Sequence, residues 1–158
     1  MKLFTALSTI VCGACLATTA LGQTGGQPSP EALERAEAMR DRAVEYLLSQ
    51  QDEATGGWSV RPDGPNLPAI TGLVLLGMTA DDAVPTRDDE TQAAVDRAYE
   101  FFYSFQQGDG GIYDRILPQY NTAISLAALS RLDTPRSRRT VRDALAFLRT
   151  LQYSEDNP

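Results

Sequence analysis

The chain has 158 residues and a formal net charge of −7 at pH 7, which argues against a nucleic-acid partner. It has no histidine, and its two cysteines, Cys12 and Cys15, both lie inside an apolar N-terminal segment. The chain beyond that segment therefore has no thiol or imidazole, which excludes disulfides, cysteine nucleophiles, histidine general bases and His or Cys metal sites there.

The N-terminal segment has the pattern of a targeting signal. Lys2 is followed by apolar or small residues over 3–20, and Ala20-Leu21-Gly22 has the small-x-small form of a signal-peptidase site. We predict a signal peptide over 1–22, export to the periplasm or outside the cell, and no stable membrane span after cleavage, because the stretch is short and interrupted by Thr and Ser. Residues 23–30, rich in Gly, Gln, Pro and Ser, predict a flexible leader.

The remaining chain, 31–158, predicts one all-α domain that begins with two contrasting helices. Ser29 and Pro30 form a helix start, and the first helix is expected to run to about Gln50 with one apolar face. The second, from Pro68 to about Thr79, is apolar nearly all round, which predicts that it is enclosed on most sides.

Three further helices continue this alternation of a longer amphipathic helix with a shorter apolar one. Thr86 is expected to cap the third, the fourth is predicted over about Asn121 to Arg131, and Thr134 is expected to cap the fifth. The alternation fits two concentric layers, with the short helices inside.

The middle of the chain repeats itself. A Gln at the end of a long helix is followed by a glycine pair and then by a small, apolar helix. The offsets are 55 residues from Gln51 to Gln106, 54 from Gly57 to Gly111, and 54 from Ala69 to Ala123. These predict an equal spacing from glycine pair to apolar helix in both copies. A third copy begins at Ala144 and reaches Gln152, which makes about two and a half helix-pair repeats.

These residues resemble the QW motif of the squalene–hopene cyclase and protein prenyltransferase superfamily. The motif has a basic-small pair, an aromatic-aliphatic pair, a Gln, a Gly and a Trp. Its counterparts here are Arg42-Ala43, Tyr46-Leu47, Gln51, Gly56 and Trp58, then Arg97-Ala98, Phe101-Phe102, Gln106 and Gly110, then Ala144, Phe147-Leu148 and Gln152. Ile112 stands where the second Trp belongs. The resemblance implies an α/α toroid, of which five helices form an incomplete ring. The Gln, Gly and Trp residues are interpreted as scaffold.

The chemistry of that superfamily finds no match in these residues. Its cyclases use an Asp-x-Asp-Asp-Thr-Ala motif, but Pro118, Tyr120 and Asn121 stand at the three Asp positions, and none is a strong acid. Its prenyltransferases hold zinc on Asp, Cys and His. We therefore predict no catalytic residue, no cofactor and no metal site in this chain.

Two charged clusters leave alternatives open. The acids at 81–82 and 88–90 fit helix-end and capping acids, or a diphosphate site using magnesium. The arginines fit a solvated helix face, or a patch for an anion or a partner. They are Arg131, Arg136, Arg138, Arg139 and Arg142.

The sequence therefore predicts an exported, non-catalytic scaffold or binding module. Its partner is a small hydrophobic ligand or a protein, and self-association of several chains is a further hypothesis. The alternative is the N-terminal part of a cyclase-like or lyase-like toroid enzyme whose acids lie beyond residue 158. Candidate ligand contacts are aromatic or polar residues near the starts of the inner helices. They are Trp58, Tyr113, Asp114, Tyr120 and Asn121.

Overall fold

A computed structural model describes residues 27–80 and 88–153. These residues form five helices and no β-strand. The helices are α1 (Pro30–Ser49), α2 (Pro68–Met78), α3 (Asp89–Ser104), α4 (Pro118–Leu129) and α5 (Pro135–Thr150). The all-α prediction is confirmed. The predicted signal peptide and residues 23–26 of the predicted leader lie outside the described residues.

The predicted starts of α1 and α5 are confirmed. The Ser29 hydroxyl accepts a hydrogen bond from the Ala32 N–H at 3.2 Å, and Pro30 is the first helical residue. Thr134 accepts from the Ser137 N–H at 3.1 Å, and Ser137 accepts in turn from the Thr134 N–H at 3.2 Å. Each cap satisfies first-turn amides that have no partner inside the helix.

The predicted start of α3 is wrong. The helix begins at Asp89, and its cap is Asp88, whose carboxylate accepts from the Thr91 N–H at 2.7 Å. A carboxylate in this position accepts a first-turn amide and also faces the positive end of the helix, which a Thr hydroxyl does not match electrostatically. Thr86 lies outside the described residues.

The predicted start of α4 and the predicted equal spacing are also wrong. The helix begins at Pro118, and the residue before it, Leu117, has a φ of +49°. The loop before α2 covers residues 59–67, whereas the loop before α4 covers residues 113–117 and is four residues shorter. The two helices therefore start 50 residues apart. The 54-residue match between Ala69 and Ala123 reflects their shared small-residue composition.

Helices α2 and α4 pack side by side and run parallel. The Asn121 Oδ1 atom accepts from the Ala69 N–H at 2.9 Å, which joins their N-terminal turns. At the other end, Arg131 Nη1 donates to the Thr79 carbonyl at 2.6 Å. Helix α2 also packs against α3, and α4 against α5. The core holds residues from all five helices and from the glycine-pair loops, including Val44, Trp58, Leu75, Phe102, Ile112, Leu129 and Ala144.

Helix α2 is enclosed on most sides, as expected, but one of its faces is open. Leu73 is 47% exposed, and Gly77 is exposed with nothing within 4 Å of its Cβ position. Helices α3 and α4 pack against α2, while Ile70 and Val74 are only partly buried. Apolar composition predicts burial, but it does not say whether the chain supplies a cover for each face.

The repeat is visible as one contact that occurs twice. Gly56 (φ +80°) and Gly110 (φ +91°) turn the chain against the backbone of the next long helix. A Cβ on Gly56 would lie 2.6 Å from the Arg97 carbonyl oxygen, and one on Gly110 would lie 2.7 Å from the Asp143 carbonyl oxygen. Arg97 and Asp143 are 46 residues apart, the offset from Gln106 to Gln152. Each glycine-pair loop therefore seats on the following long helix in the same register.

Candidate binding cleft

A cleft of about 490 Å³ lies between the end of α1, the loop after the first glycine pair, and α2. Its volume is within the range of small-molecule sites. Its walls are formed by Tyr46, Leu47, Gln50, Asp52, Glu53, Trp58, Ser59, Val60, Arg61, Pro62, Gly64, Asn66, Ile70 and Val74. All of these residues belong to the first repeat.

Trp58 forms one wall of the cleft and is 2% exposed. Its indole Nε1–H donates to the Leu47 carbonyl at 2.7 Å, near the end of α1. Its backbone N–H donates to the Thr71 hydroxyl on α2 at 3.0 Å. With both N–H groups engaged, Trp58 offers the cleft its apolar ring and no free donor. These contacts fix Trp58 between α1 and α2.

The cleft combines an apolar wall with a polar rim. Leu47, Ile70 and Val74 supply aliphatic surface, while Val60 is 76% exposed at the mouth. Arg61, also exposed, supplies the positive charge of the rim. The acids Asp52 and Glu53 lie in the same lining, so the arrangement suits a ligand that is largely apolar and carries a polar group at one end.

Asp52 stabilises the loop that shapes the cleft. Its carboxylate accepts from the Ala54 and Thr55 N–H groups at 2.9 and 3.0 Å, and from Asn66 Nδ2 at 2.9 Å. The hydrogen bond from the Thr55 backbone, followed by that from Asn66, lowers the pKa of Asp52 below its ordinary value. The group is therefore ionised at neutral pH and does not act as a proton donor there.

Tyr113 and Asp114 lie in the second loop and contact other residues. The Tyr113 hydroxyl donates to Asp109 Oδ2 at 2.6 Å, a bond that raises the pKa of Tyr113. Its ring stacks on Phe147 of α5 at a centroid distance of 5.6 Å. Asp114 forms an exposed ion pair with Arg115 at 3.7 Å, which contributes little to stability.

Tyr120 and Asn121 sit in the first turn of α4. The Tyr120 side chain is exposed, and Asn121 is fully buried. Besides accepting from Ala69, Asn121 donates through Nδ2 to the Ile116 carbonyl at 2.9 Å. Of the five predicted contacts, the structure thus places Trp58 in the cleft wall, and Tyr113, Asp114, Tyr120 and Asn121 outside that wall.

Sequence reasoning missed most of the cleft. Val60, Arg61 and Asn66 lie in the longer of the two loops, and Tyr46 had been read as part of a helix motif. The signal that identifies the loop is its four extra residues relative to the second repeat, which the 54-residue alignment conceals.

The arginine cluster lies on exposed surface, and four of its five members contact other residues. Arg136 donates to Glu100 at 2.9 Å, and its guanidinium lies 3.8 Å from the centroid of the Tyr103 ring. The neighbouring pairs are Arg138 with Asp133, Arg142 with Asp143, and Arg131 with the Thr79 carbonyl.

Two further properties bear on the class of site. Within 27–80 and 88–153, no group of three or more Asp, Glu, His or Cys side chains is placed to hold a metal ion. None of the helices in that part of the chain has the length and apolar character that a membrane span requires.

Comparison with family models, with curated proteins and with solved structures gives no match to this chain. The resemblance to the cyclase and prenyltransferase superfamily stays a prediction.

Proposed function

We propose that this chain is an exported, non-catalytic helical-repeat module of the α/α-toroid class that binds a ligand at its first repeat. The observation that carries the proposal is the cleft of about 490 Å³, which is walled by the end of α1, the first glycine-pair loop and α2. In a fold of this class, a ligand is expected to contact the loops that follow the glycine pairs.

The hydrogen bonding of the polar side chains supports a binding role over a catalytic one. Asp52 and Asn66 hold each other in the loop, and Asn121 joins α2 to α4. A catalytic acid or base needs to reach a substrate with a pKa suited to proton transfer. The alternative, part of a larger toroid enzyme, places such groups beyond residue 158.

The cleft can be tested with the fluorescent probe 1-anilinonaphthalene-8-sulfonate, which has an aromatic body and one anionic group. We expect the probe to shift the NMR resonance of the Trp58 indole N–H, and Val60→Asp to weaken its binding about tenfold or more through charge repulsion and lost apolar contact. Leu145→Asp on α5 is the matched control, because Leu145 is exposed but is not a cleft residue.

The binding proposal fails if the probe shifts resonances away from the cleft, or if Val60→Asp and Leu145→Asp bind it equally. The export proposal has a separate test. N-terminal sequencing of the mature protein is expected to begin at Gln23, and a mature protein that begins at Met1 contradicts it.

A further inference from the structure

Each repeat packs on the same face of the long helix that follows it, and the contacts are clearest on α3. Gln51 Nε2 donates to the Ala94 carbonyl at 2.8 Å, and Arg97 Nη2 donates back to Gln51 Oε1 at 2.7 Å. A Cβ on Gly57 would lie 2.7 Å from the Phe101 ring. Ala94 and Phe101 are 0% and 2% exposed under this cover. The Gln and glycine pair of one repeat thus cover one face of the next long helix.

The same face is covered on α5, 46 residues further along. Thr140 donates its hydroxyl to Gln106 Oε1 at 3.1 Å, in the place of the Ala94 contact. A Cβ on Gly111 would lie 3.0 Å from the Phe147 ring. Thr140 and Phe147 are 3% and 7% exposed. Helices α3 and α5 differ in sequence, but each contacts the Gln and the glycine pair of the preceding repeat at three equivalent positions.

On α1, 55 residues before α3, this face is uncovered among the described residues. Met39 stands at the position of Ala94 and Tyr46 at that of Phe101, and each is 64% exposed. Ala43 is exposed too, whereas its counterparts Ala98 and Ala144 are both 0% exposed. Arg42 keeps the basic residue that Arg97 uses to bind a Gln carbonyl.

The cleft continues this uncovered face onto α2. Ile124 of α4 packs against Gly72 of the preceding inner helix, 2.8 Å from its Cβ position. The bond from the Trp58 N–H to the Thr71 hydroxyl recurs as the bond from the Ile112 N–H to the Thr122 hydroxyl, whose acceptor lies 51 residues further along. The counterpart of Ile124 is therefore Leu73, which is 47% exposed. Its neighbour Val74 lines the cleft together with Tyr46. The cleft therefore adjoins the place where an inner helix of a preceding repeat would pack in a contact like that of α2 with α4.

We propose that this combined surface, called here the acceptor surface (Met39, Arg42, Ala43, Tyr46 and Val74), docks a helix-pair repeat carried by a partner protein. The partner presents a Gln and a glycine pair to α1, where Arg42 binds the Gln carbonyl. Its short inner helix lays a small residue against Leu73, beside Val74. The inference rests on the proposed function, since it names the occupant of the same binding end.

A partner chain fits this surface better than a second copy does. The two glycine pairs within the described residues, at 56–57 and 110–111, are already seated on α3 and α5. A second copy would have to detach one of those helices before it could offer a glycine pair to α1. Self-association is therefore an outcome of the test that contradicts the proposal.

The test is a full-length chain in which residues 29–87 are duplicated directly before Ser29, with Tyr46→Phe in the added copy. The added glycine pair then precedes the original α1 as the natural one precedes α3. We expect nitration of the original Tyr46 by tetranitromethane to slow about tenfold or more, because its ring becomes buried. Because the added copy carries a cleft of its own, that copy also contains Val60→Asp, and the added inner helix should then abolish binding of 1-anilinonaphthalene-8-sulfonate at the original cleft.

Two variants separate a docked repeat from a merely tethered one. Gly56→Ala in the added copy is expected to restore fast nitration, since the loop can no longer seat. Arg42→Glu in the original segment is expected to restore it as well. In the chain without the duplication, Arg42→Glu should change neither stability nor probe binding, which shows that the substitution does not act by unfolding.

The proposal is overturned if Tyr46 is nitrated at the parental rate in a folded duplicated chain. It is also overturned if the parent chain sediments as a dimer that Tyr46→Ala dissociates, because the occupant is then a second copy. If the probe binds the parent cleft but the duplication leaves Tyr46 exposed, only this inference fails. If the probe does not bind the parent cleft, the proposed function fails independently.

Discussion

Substitution of Gly56 by alanine tests the contact on which the repeat arrangement depends. Gly56 has a φ of +80°, and a Cβ there would lie 2.6 Å from the Arg97 carbonyl oxygen and 3.0 Å from the Arg97 Cβ. The first neighbour is backbone inside α3, so it cannot move away as the end of a flexible side chain would. The methyl group therefore strains the loop and also separates it from the next helix.

The expected cost has two parts. An L-residue in the left-handed region costs about 1–2 kcal/mol relative to glycine. Forcing a methyl group into a filled contact adds typically about 1–3 kcal/mol. We therefore expect Gly56→Ala to lower the free energy of unfolding by about 2–5 kcal/mol, a large fraction of the stability of a domain of this size.

The assay is urea denaturation followed by Trp58 fluorescence. Trp58 is the chain's single tryptophan and is 2% exposed, so unfolding moves its emission to longer wavelength. Two other glycines provide matched controls, because Gly77 and Gly108 have nothing within 4 Å of their Cβ positions. Gly77→Ala, in the last turn of α2, should stabilise by at most about 1 kcal/mol. Gly108→Ala should be close to neutral.

The reasoning is refuted if Gly56→Ala and Gly108→Ala unfold at the same urea concentration. A loss in Gly56→Ala that equals the backbone strain alone would show that the loop does not seat on α3. Gly110→Ala provides the second instance, since its Cβ would lie 2.7 Å from the Asp143 carbonyl oxygen. The two variants should lose similar amounts of stability.

Three further predictions concern single side chains. Asn121→Ala should cost about 2–3 kcal/mol in urea denaturation, because a buried first-turn amide of α2 loses its acceptor; a neutral result would contradict the joining role. Trp58→Phe should cost about 1–3 kcal/mol through the lost indole hydrogen bond and the cavity left behind, measured by circular dichroism. The Thr55 N–H first, and then Asn66, lower the pKa of Asp52 in the fold. Its ionised form therefore contributes stability above its unfolded-state pKa, and this contribution is lost as the pH falls through the lower folded-state value. Asp52→Asn should flatten that acid loss in denaturation curves taken from about pH 5 down to pH 2, and an unchanged slope would refute the assignment.

The elements that the sequence predicts well are those set by local chemistry. Ser29-Pro30 and Thr134-Pro135 combine a capping side chain with a residue already restricted to helical φ, so both starts are predicted correctly. The Gln and glycine pair are likewise local signals of a sharp reversal. Their long-range role is visible only in the fold, where Gln51 bonds to Ala94 of the next repeat.

The errors arise where two local signals compete. Asp88 and Thr86 are both good caps, and the sequence does not rank a carboxylate over a hydroxyl two residues away. At α4, the helix starts at Pro118, directly after Leu117 in a left-handed conformation. Leucine is not a residue type that indicates such a conformation in the sequence. The small apolar helices also align equally well at several offsets, and this ambiguity concealed the longer first loop.

The cleft could be predicted only in part for the same reason. Trp58 was identified because its ring marks the first glycine-pair loop. Val60 and Arg61 carry no motif, and their position depends on the length of a loop that the 54-residue alignment predicts to be equal in both repeats. Asn121 shows the converse case, since a polar residue at an inner-helix start resembles a ligand contact but is fully buried as a link between α2 and α4.

The residue types of the acceptor surface agree with its being covered only by a partner. At the covered positions of α3 and α5 the chain has Phe101 and Phe147, whereas α1 has Tyr46 at the same level. Met39 likewise replaces a small buried residue. Tyr, Met and Arg are enriched in protein interfaces, because they offer large contact area and still tolerate water when the partner is absent. Tyr46 and Met39 can therefore lie exposed in the free chain and still supply apolar contact area when a partner repeat covers α1.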